Sequence, residues 1–215
     1  MIDGPRVSPA SGGPARSLVI LLHGYGSNGE DLIALGRQWR GLLRDTAFVA
    51  PDAPEPCPGA PGGYQWWGIS SPDRGARMAG AARAAPVLDA FVDAEMARHG
   101  LTEVRLAMVG FSQGTMMALQ VGAARSPALA GIVGYSGMLA DEAVLDADAP
   151  RDRPPILLVH GDADPMIPVA ALGQAREALT RRGFRVQSHI SPGLGHGIDA
   201  QGVNLGATFL AQVLA

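Results

Sequence analysis

Leu18–Leu22 is apolar throughout and ends at His23-Gly24. A run of that length with no polar face predicts a strand buried on both sides. A polar turn follows, and Glu30–Leu43 then carries Leu32, Leu35 and Trp39 at helical spacing. Thr46–Ala50 reads as the next strand, closed by Pro51. Ala53–Arg74 has no period and is rich in Pro and Gly, which predicts a long functional loop. From Arg77 to His99 the spacing of Val87, Leu88, Phe91 and Met96 predicts a helix ended by Gly100 and kinked, or started late, by Pro86. Strands are then expected at Val104–Val109, Gly131–Tyr135, Ile156–Val159 and Arg185–Ile190. Helices are expected at Gln113–Ala124, Val169–Arg182 and Ala200–Leu214. Strands alternating with helices along a whole chain give an α/β fold, a mostly parallel sheet covered on both faces. Such sheets place their chemistry at the carboxyl ends of the strands.

The chain has 215 residues, which suits a single domain over 1–215, with 1–16 a loosely ordered lead. Its net charge of -3 and lack of a basic run exclude a nucleic-acid footprint. All 17 basic residues are Arg, so lysine Schiff bases, Ser-Lys dyads and a P-loop lysine are excluded. Cys57 is the only cysteine, which rules out an internal disulfide and a cysteine-rich zinc site. Its Pro-rich setting reads as an ordinary free thiol. The first residues hold no apolar leader and the apolar runs are only strand-sized, so a cytoplasmic protein without a membrane span is expected.

Gly110-Phe111-Ser112-Gln113-Gly114 matches G-x-S-x-G between a predicted strand and a predicted helix. That context lifts a serine hydroxyl above the sheet edge on a strained turn, with glycines where strand and helix pass closest. The competing reading is a helix-capping serine. Ser136, in Gly134-Tyr135-Ser136-Gly137, is a weaker rival because no helix clearly follows it.

A serine needs a base. His196 lies in the glycine-rich loop after the last strand, where an imidazole reaches over the sheet edge. His23 and His160 end strands before Gly and read as loop supports, His99 ends a helix, and His189 lies within a strand. The acid expected to orient the base follows Ile156–Val159, where Asp162 and Asp164 are both candidates. The chain order Ser, Asp, His is that of α/β-hydrolases. A tetrahedral intermediate also needs N–H donors. Gln113 offers one from its backbone, and Tyr25, in the turn after the first strand, offers the other. The same turn holds a rival: Gly24, Gly26 and Gly29 form G-x-G-x-x-G, with Asp52 after the next strand, as in a dinucleotide-binding unit.

LVILLHGYGSNGEDL, VGFSQGTMMAL, LLVHGDADPMIP and GLGHGID, in this order, resemble the phospholipase/carboxylesterase family of the α/β-hydrolase fold, which includes the acyl-protein thioesterases. The resemblance runs from about Leu18 to the C-terminus. It implies a mostly parallel sheet without a large lid domain. It also implies Ser112, Asp164 (over Asp162) and His196 as catalytic residues, and Tyr25 and Gln113 amides as oxyanion hole. The implied reaction is hydrolysis of carboxylic esters of short to medium acyl chain through an acyl-enzyme, with no cofactor or metal. Acyl-protein thioesterase and lysophospholipase activities use the same machinery. A small-molecule ester or thioester is the expected partner, and oligomeric state is not legible. Several eukaryotic members carry Leu where this chain has Tyr25, whose phenol either narrows the acyl channel or hydrogen-bonds substrate. The aromatic stretch Tyr64–Gly68 falls where this family lines its pocket. Trp66, Trp67, Met117, Met138 and Leu194 are the candidate acyl-pocket residues, with core packing as the alternative. Two further readings differ in kind: a dinucleotide-binding domain, and a hydrolase-fold protein that binds without catalysis.

Overall fold

The computed structural model describes residues 2–69, 73–146 and 152–215. In chain order, strand β1 is Arg6–Val7, β2 Ser17–Leu22, β3 Thr46–Val49, β4 Glu55–Pro56, β5 Tyr64–Gln65, β6 Leu106–Phe111, β7 Gly131–Tyr135, β8 Ile156–Gly161 and β9 Val186–Ser191. The helices are α1 Gly29–Trp39, α2 Arg74–His99, α3 Gln113–Gly122, α4 Ala170–Arg181 and α5 Ala200–Val213. Among the described residues, one sheet runs β1-β3-β2-β6-β7-β8-β9, parallel except for the antiparallel edge strand β1. β4 and β5 form a separate hairpin.

Each central strand feeds two cores, because successive side chains leave opposite faces. Leu18, Ile20 and Leu22 of β2 pack with Leu88 and Phe91 of α2, Leu119 of α3 and Leu172 of α4. Val19 and Leu21 pack on the other face with Ile33 and Trp39 of α1 and Phe209 and Leu210 of α5. All six β2 residues are buried, so a run without a polar side is what this central strand requires. No inserted helical subdomain stands over the strand ends among the described residues.

Three expectations are corrected. Part of the N-terminal lead, Arg6–Val7, is paired with β3, and Ala50 N–H donates to Pro5 O (3.1 Å). Arg6 also grips the carboxylate of Glu95, a residue 1 % exposed on α2, at 2.7 and 3.2 Å. A buried carboxylate demands such partners, and Arg98 Nε–H supplies another at 3.0 Å. Helix α2 starts before Arg77 and runs through Pro86, which sits on its exposed side, where the carbonyl that loses its partner faces water. Its start is capped by Asp73, whose carboxylate accepts from Gly75 and Ala76 N–H (2.9 and 3.0 Å). The Ala53–Arg74 loop, of which residues 70–72 lie outside the described residues, is partly structured. Its β4–β5 hairpin is fastened to the turn after β2 by Gly26 N–H to Tyr64 O and Tyr64 N–H to Ser27 O (2.9 and 2.7 Å).

Candidate active site

Ser112 sits between β6 and α3 with φ 54 and ψ -115, left-handed backbone that a residue with a Cβ adopts only under strain. The turn is held by Ser112 N–H to Tyr135 O (2.9 Å) and by Thr115 Oγ1, which reaches Gly110 O and Tyr135 O, both at 2.8 Å. A Cβ on Gly110 would lie 2.3 Å from Gly114 O, and one on Gly114 would lie 1.9 Å from Leu22 O. Both glycines of the motif are therefore required by close backbone approach.

Ser112 Oγ–H donates to His196 Nε2 at 3.0 Å, and His196 Nδ1–H donates to Asp164 Oδ2 at 2.8 Å. A carboxylate only accepts, so this contact fixes the proton on Nδ1 and leaves Nε2 free to receive the serine proton. Ser112 and His196 are half-buried, whereas the Asp164 side chain has no exposure. Burial pushes the Asp164 carboxyl up, but N–H donors from Ile167, His196 and Met166 outweigh it and hold it below its ordinary value of 3.8. Met166 N–H and Ile167 N–H both meet Oδ1, at 2.8 and 2.9 Å. Asp162, the other candidate acid, points elsewhere: its Oδ1 accepts from Gly193 N–H at 2.6 Å and so pins the loop that carries His196.

Several partners have no motif to announce them. His160 is buried, and its Nε2–H donates to Ile167 O (2.8 Å) while lying 3.3 Å from Asp164 Oδ2. Ser136, the rival serine, has φ 46 and is 1 % exposed. Its hydroxyl donates to Gly197 O (2.9 Å), next to His196, a carbonyl that cannot take up the proton as the imidazole does for Ser112. Gln113 uses its side chain as well as its backbone: Oε1 accepts from Trp66 N–H and Nε2 donates to Trp67 O, both at 2.9 Å. His23 supports its neighbours, Nδ1–H donating to Gly24 O (2.7 Å) and Nε2 accepting from Ala53 N–H (2.9 Å).

Gln113 opens α3, so its N–H belongs to the first helical turn, where donors have no acceptor within the helix. Tyr25 lies in the turn after β2, and that turn touches the serine: a Cβ on Gly24 would lie 3.3 Å from Ser112 Cβ and 3.0 Å from the Phe111 ring. Tyr25 is 41 % exposed, and its phenol is raised, chiefly by the neighbouring Cys57 side chain, itself buried.

The expected acyl-pocket set divides. Trp66, Trp67 and Met117 are 1 %, 4 % and 0 % exposed and belong to the buried cluster that also holds Leu22 and Leu119. Met138 is half-buried and lines a groove with Arg74, Arg77 and Glu142. Leu194 is half-buried in the histidine loop, where its carbonyl accepts from Ala163 N–H (3.0 Å).

The dinucleotide reading is overturned at its own helix. Asp52 Oδ1 accepts from Gly29 N–H at 2.7 Å, so the first-turn donor that would meet a pyrophosphate already holds a carboxylate of the chain. Gly29 is needed because a Cβ there would lie 2.0 Å from Ala50 O.

A family profile described as Phospholipase/Carboxylesterase matches residues 5–214. Esterase YpfH of Escherichia coli (strain K12) is 30% identical over 186 residues, covering 86% of this chain and 78% of that protein. Acyl-protein thioesterase 1 of Neurospora crassa is 28% identical over 212 residues, covering 91% and 86%. Among solved structures, esterase PE8 is similar with a TM-score of 0.94 and 44% identity over 99% of both chains.

Proposed function

The chain belongs to the phospholipase/carboxylesterase family, and from that membership we propose that Ser112, His196 and Asp164 hydrolyse carboxylic esters through an acyl-enzyme. The observation that carries this is the continuous relay Ser112 Oγ, His196, Asp164, with contacts of 3.0 and 2.8 Å. Ser112 Oγ attacks the ester carbonyl as its proton passes to His196 Nε2. Asp164 holds the imidazole tautomer and stabilises the imidazolium that forms. The carbonyl oxygen becomes an oxyanion and is received by the N–H groups of Tyr25 and Gln113. As the intermediate collapses, His196 hands its proton to the departing alcohol or thiol. Water then repeats the sequence on the acyl-enzyme, with His196 as base, releasing the acid and restoring Ser112.

Short to medium acyl chains are the substrates this site suits. Trp66, Trp67 and Met117 lie in the core, and Ser112 and His196 are half-buried without a helical lid over them among the described residues. Thioesters pass through the same intermediates. Among the described residues no helix is long and apolar enough to cross a membrane.

The test is hydrolysis of p-nitrophenyl esters from acetate to palmitate, with Ser112→Ala as control. Turnover peaking at short chains and reduced about 10³-fold or more in Ser112→Ala is expected. Near-parental turnover in Ser112→Ala refutes the serine mechanism. A peak at long chains replaces the short-chain reading with a thioesterase or lysophospholipase one.

A further inference from the structure

Tyr25 and Gln113, the two oxyanion donors, come from separate segments, and a buried hydrogen-bonded circuit joins them. It begins at the Gln113 side chain, 2 % exposed, which takes Trp66 N–H and gives to Trp67 O, both at 2.9 Å. It crosses the Trp66 side chain, whose indole Nε1–H donates to the carbonyl of His23 at 3.0 Å. It closes through His23, fully buried, whose ring donates to Gly24 O at 2.7 Å and accepts from Ala53 N–H at 2.9 Å. Tyr25 is the next residue. The His23 and Trp66 rings sit with centroids 5.9 Å apart.

This circuit has little slack. A Cβ on Gly114 would lie 2.7 Å from the same His23 carbonyl that the indole holds, so the start of α3 and the turn after β2 already touch. Burial pushes the His23 imidazole down, keeping it neutral, and the Ala53 N–H then assigns its remaining proton to the nitrogen that faces Gly24 O. A neutral ring with one fixed tautomer is a rigid link.

We propose that Trp66 is a positioning residue whose indole N–H, steadied by the Gln113 amide, holds the His23-Gly24 backbone so that Tyr25 N–H and Gln113 N–H reach one oxygen. The role belongs to the N–H rather than to the apolar bulk of the ring. It rests on the serine mechanism and the oxyanion donors proposed above. Donors that tighten on a developing oxyanion act on the transition state more than on bound substrate, so their misplacement lowers kcat and leaves KM.

The experiment compares Trp66→Phe with the parent on p-nitrophenyl butyrate. It also measures affinity for an alkyl boronic acid, which forms a tetrahedral adduct on serine, and includes Ser112→Ala as control. A second replacement, benzothienylalanine incorporated at position 66, substitutes sulfur for the N–H within the same ring outline and serves if the Phe protein does not fold. Removing an oxyanion donor outright lowers kcat about 10²–10³-fold, and loosening one is expected to cost about 10-fold, with KM within about twofold and boronic acid affinity weakened in proportion. Parental kcat and boronic acid affinity in a folded variant overturn the proposal. A loss of stability with those two values unchanged also overturns it, leaving Trp66 a packing residue. Persistent turnover in Ser112→Ala refutes the underlying mechanism instead, whatever Trp66 does.

Discussion

Ser136→Ala removes one hydroxyl from beneath the histidine loop. That hydroxyl, on a residue 1 % exposed, donates to Gly197 O at 2.9 Å. The carbonyl lies on a half-buried loop residue, so water replaces the lost donor only in part, and a cost of about 1–2 kcal/mol is expected. With a urea slope of roughly 1–3 kcal/mol/M, the unfolding midpoint falls by about 0.3–2 M. Backbone strain supplies an internal control. Ser136 has φ 46, where a Cβ costs about 1–2 kcal/mol. Ser136→Gly loses the same hydrogen bond but sheds that strain, less about 0.5–1 kcal/mol for the extra chain entropy of Gly. Its midpoint therefore lies between those of the parent and Ser136→Ala. Catalysis sorts the variants differently. Both lose the bond beside His196, and small displacements of a catalytic group are costly, so kcat on a short p-nitrophenyl ester drops about 10-fold in both while KM holds. Fluorophosphonate labelling must persist in both if, as proposed, the reactive hydroxyl is that of Ser112. Parental kcat in the folded variants, or loss of labelling, would refute the reasoning.

Asp164→Asn should lower kcat about 10⁴-fold with the fold retained, because the amide no longer enforces a proton on His196 Nδ1; stopped assays on purified protein check this, and a loss below tenfold counts against the role. Because the native Asp164 value lies below its ordinary 3.8, its ionisation stabilises the fold at pH above 3.8 and that contribution disappears as pH falls through the lowered native value. Its ¹³C carboxyl resonance should therefore stay at the ionised position on acidification to about pH 4, and a midpoint above 3.8 contradicts the geometry. Gly206→Ala places a Cβ 2.0 Å from the Tyr135 hydroxyl, which is itself held by Gly202 O at 3.0 Å. Overpacking of about 1–3 kcal/mol exceeds the gain of about 1 kcal/mol from replacing a helical Gly. Urea unfolding should show a net loss that shrinks in a Tyr135→Phe background.

The alternation of strand and helix was legible because each period is enforced by burial on a named face. Leu18–Leu22, read as a buried strand, lies within the fully buried β2, and Gly131–Tyr135 coincides with β7. The Ser112 turn was legible because its glycines answer backbone contacts that no side chain permits. What escaped reading depends on partners distant in sequence. Two-residue strands such as Arg6–Val7 and Tyr64–Gln65 have no period to detect and are defined by pairing with β3 and β4, with further bonds to Glu95 and Ser27 respectively. The surroundings of the tryptophans were hidden for a related reason. Trp66 and Trp67 sit in a Pro-Gly loop without a period, and their backbone is held by the side chain of a glutamine that motif reading counts only for its backbone. Spacing favoured Asp164 over Asp162 only weakly because the two lie two residues apart, and the family resemblance and the loop each meets, Gly193 for Asp162 and His196 for Asp164, tell them apart.

The G-x-G-x-x-G stretch shows why residue type alone does not settle a ligand. In a dinucleotide site such glycines bring backbone close to a pyrophosphate at a helix start. Here the three glycines answer three different demands. Gly24 clears Phe111 and Ser112, Gly26 takes φ +76 in the turn beneath the Cys57 loop, and Gly29 clears Ala50 O. The acid expected to bind a ribose is instead bonded to the start of α1, where Asp52 receives Gly29 N–H at 2.7 Å. A carboxylate at that position is favoured by the positive end of the helix dipole and excludes a second anion from the same donor. The turn is left facing the serine, where a Cβ on Gly24 would lie 3.3 Å from Ser112 Cβ. The glycine pattern is shared with nucleotide folds because both need a tight passage from strand to helix; the side chains around it decide what the passage faces.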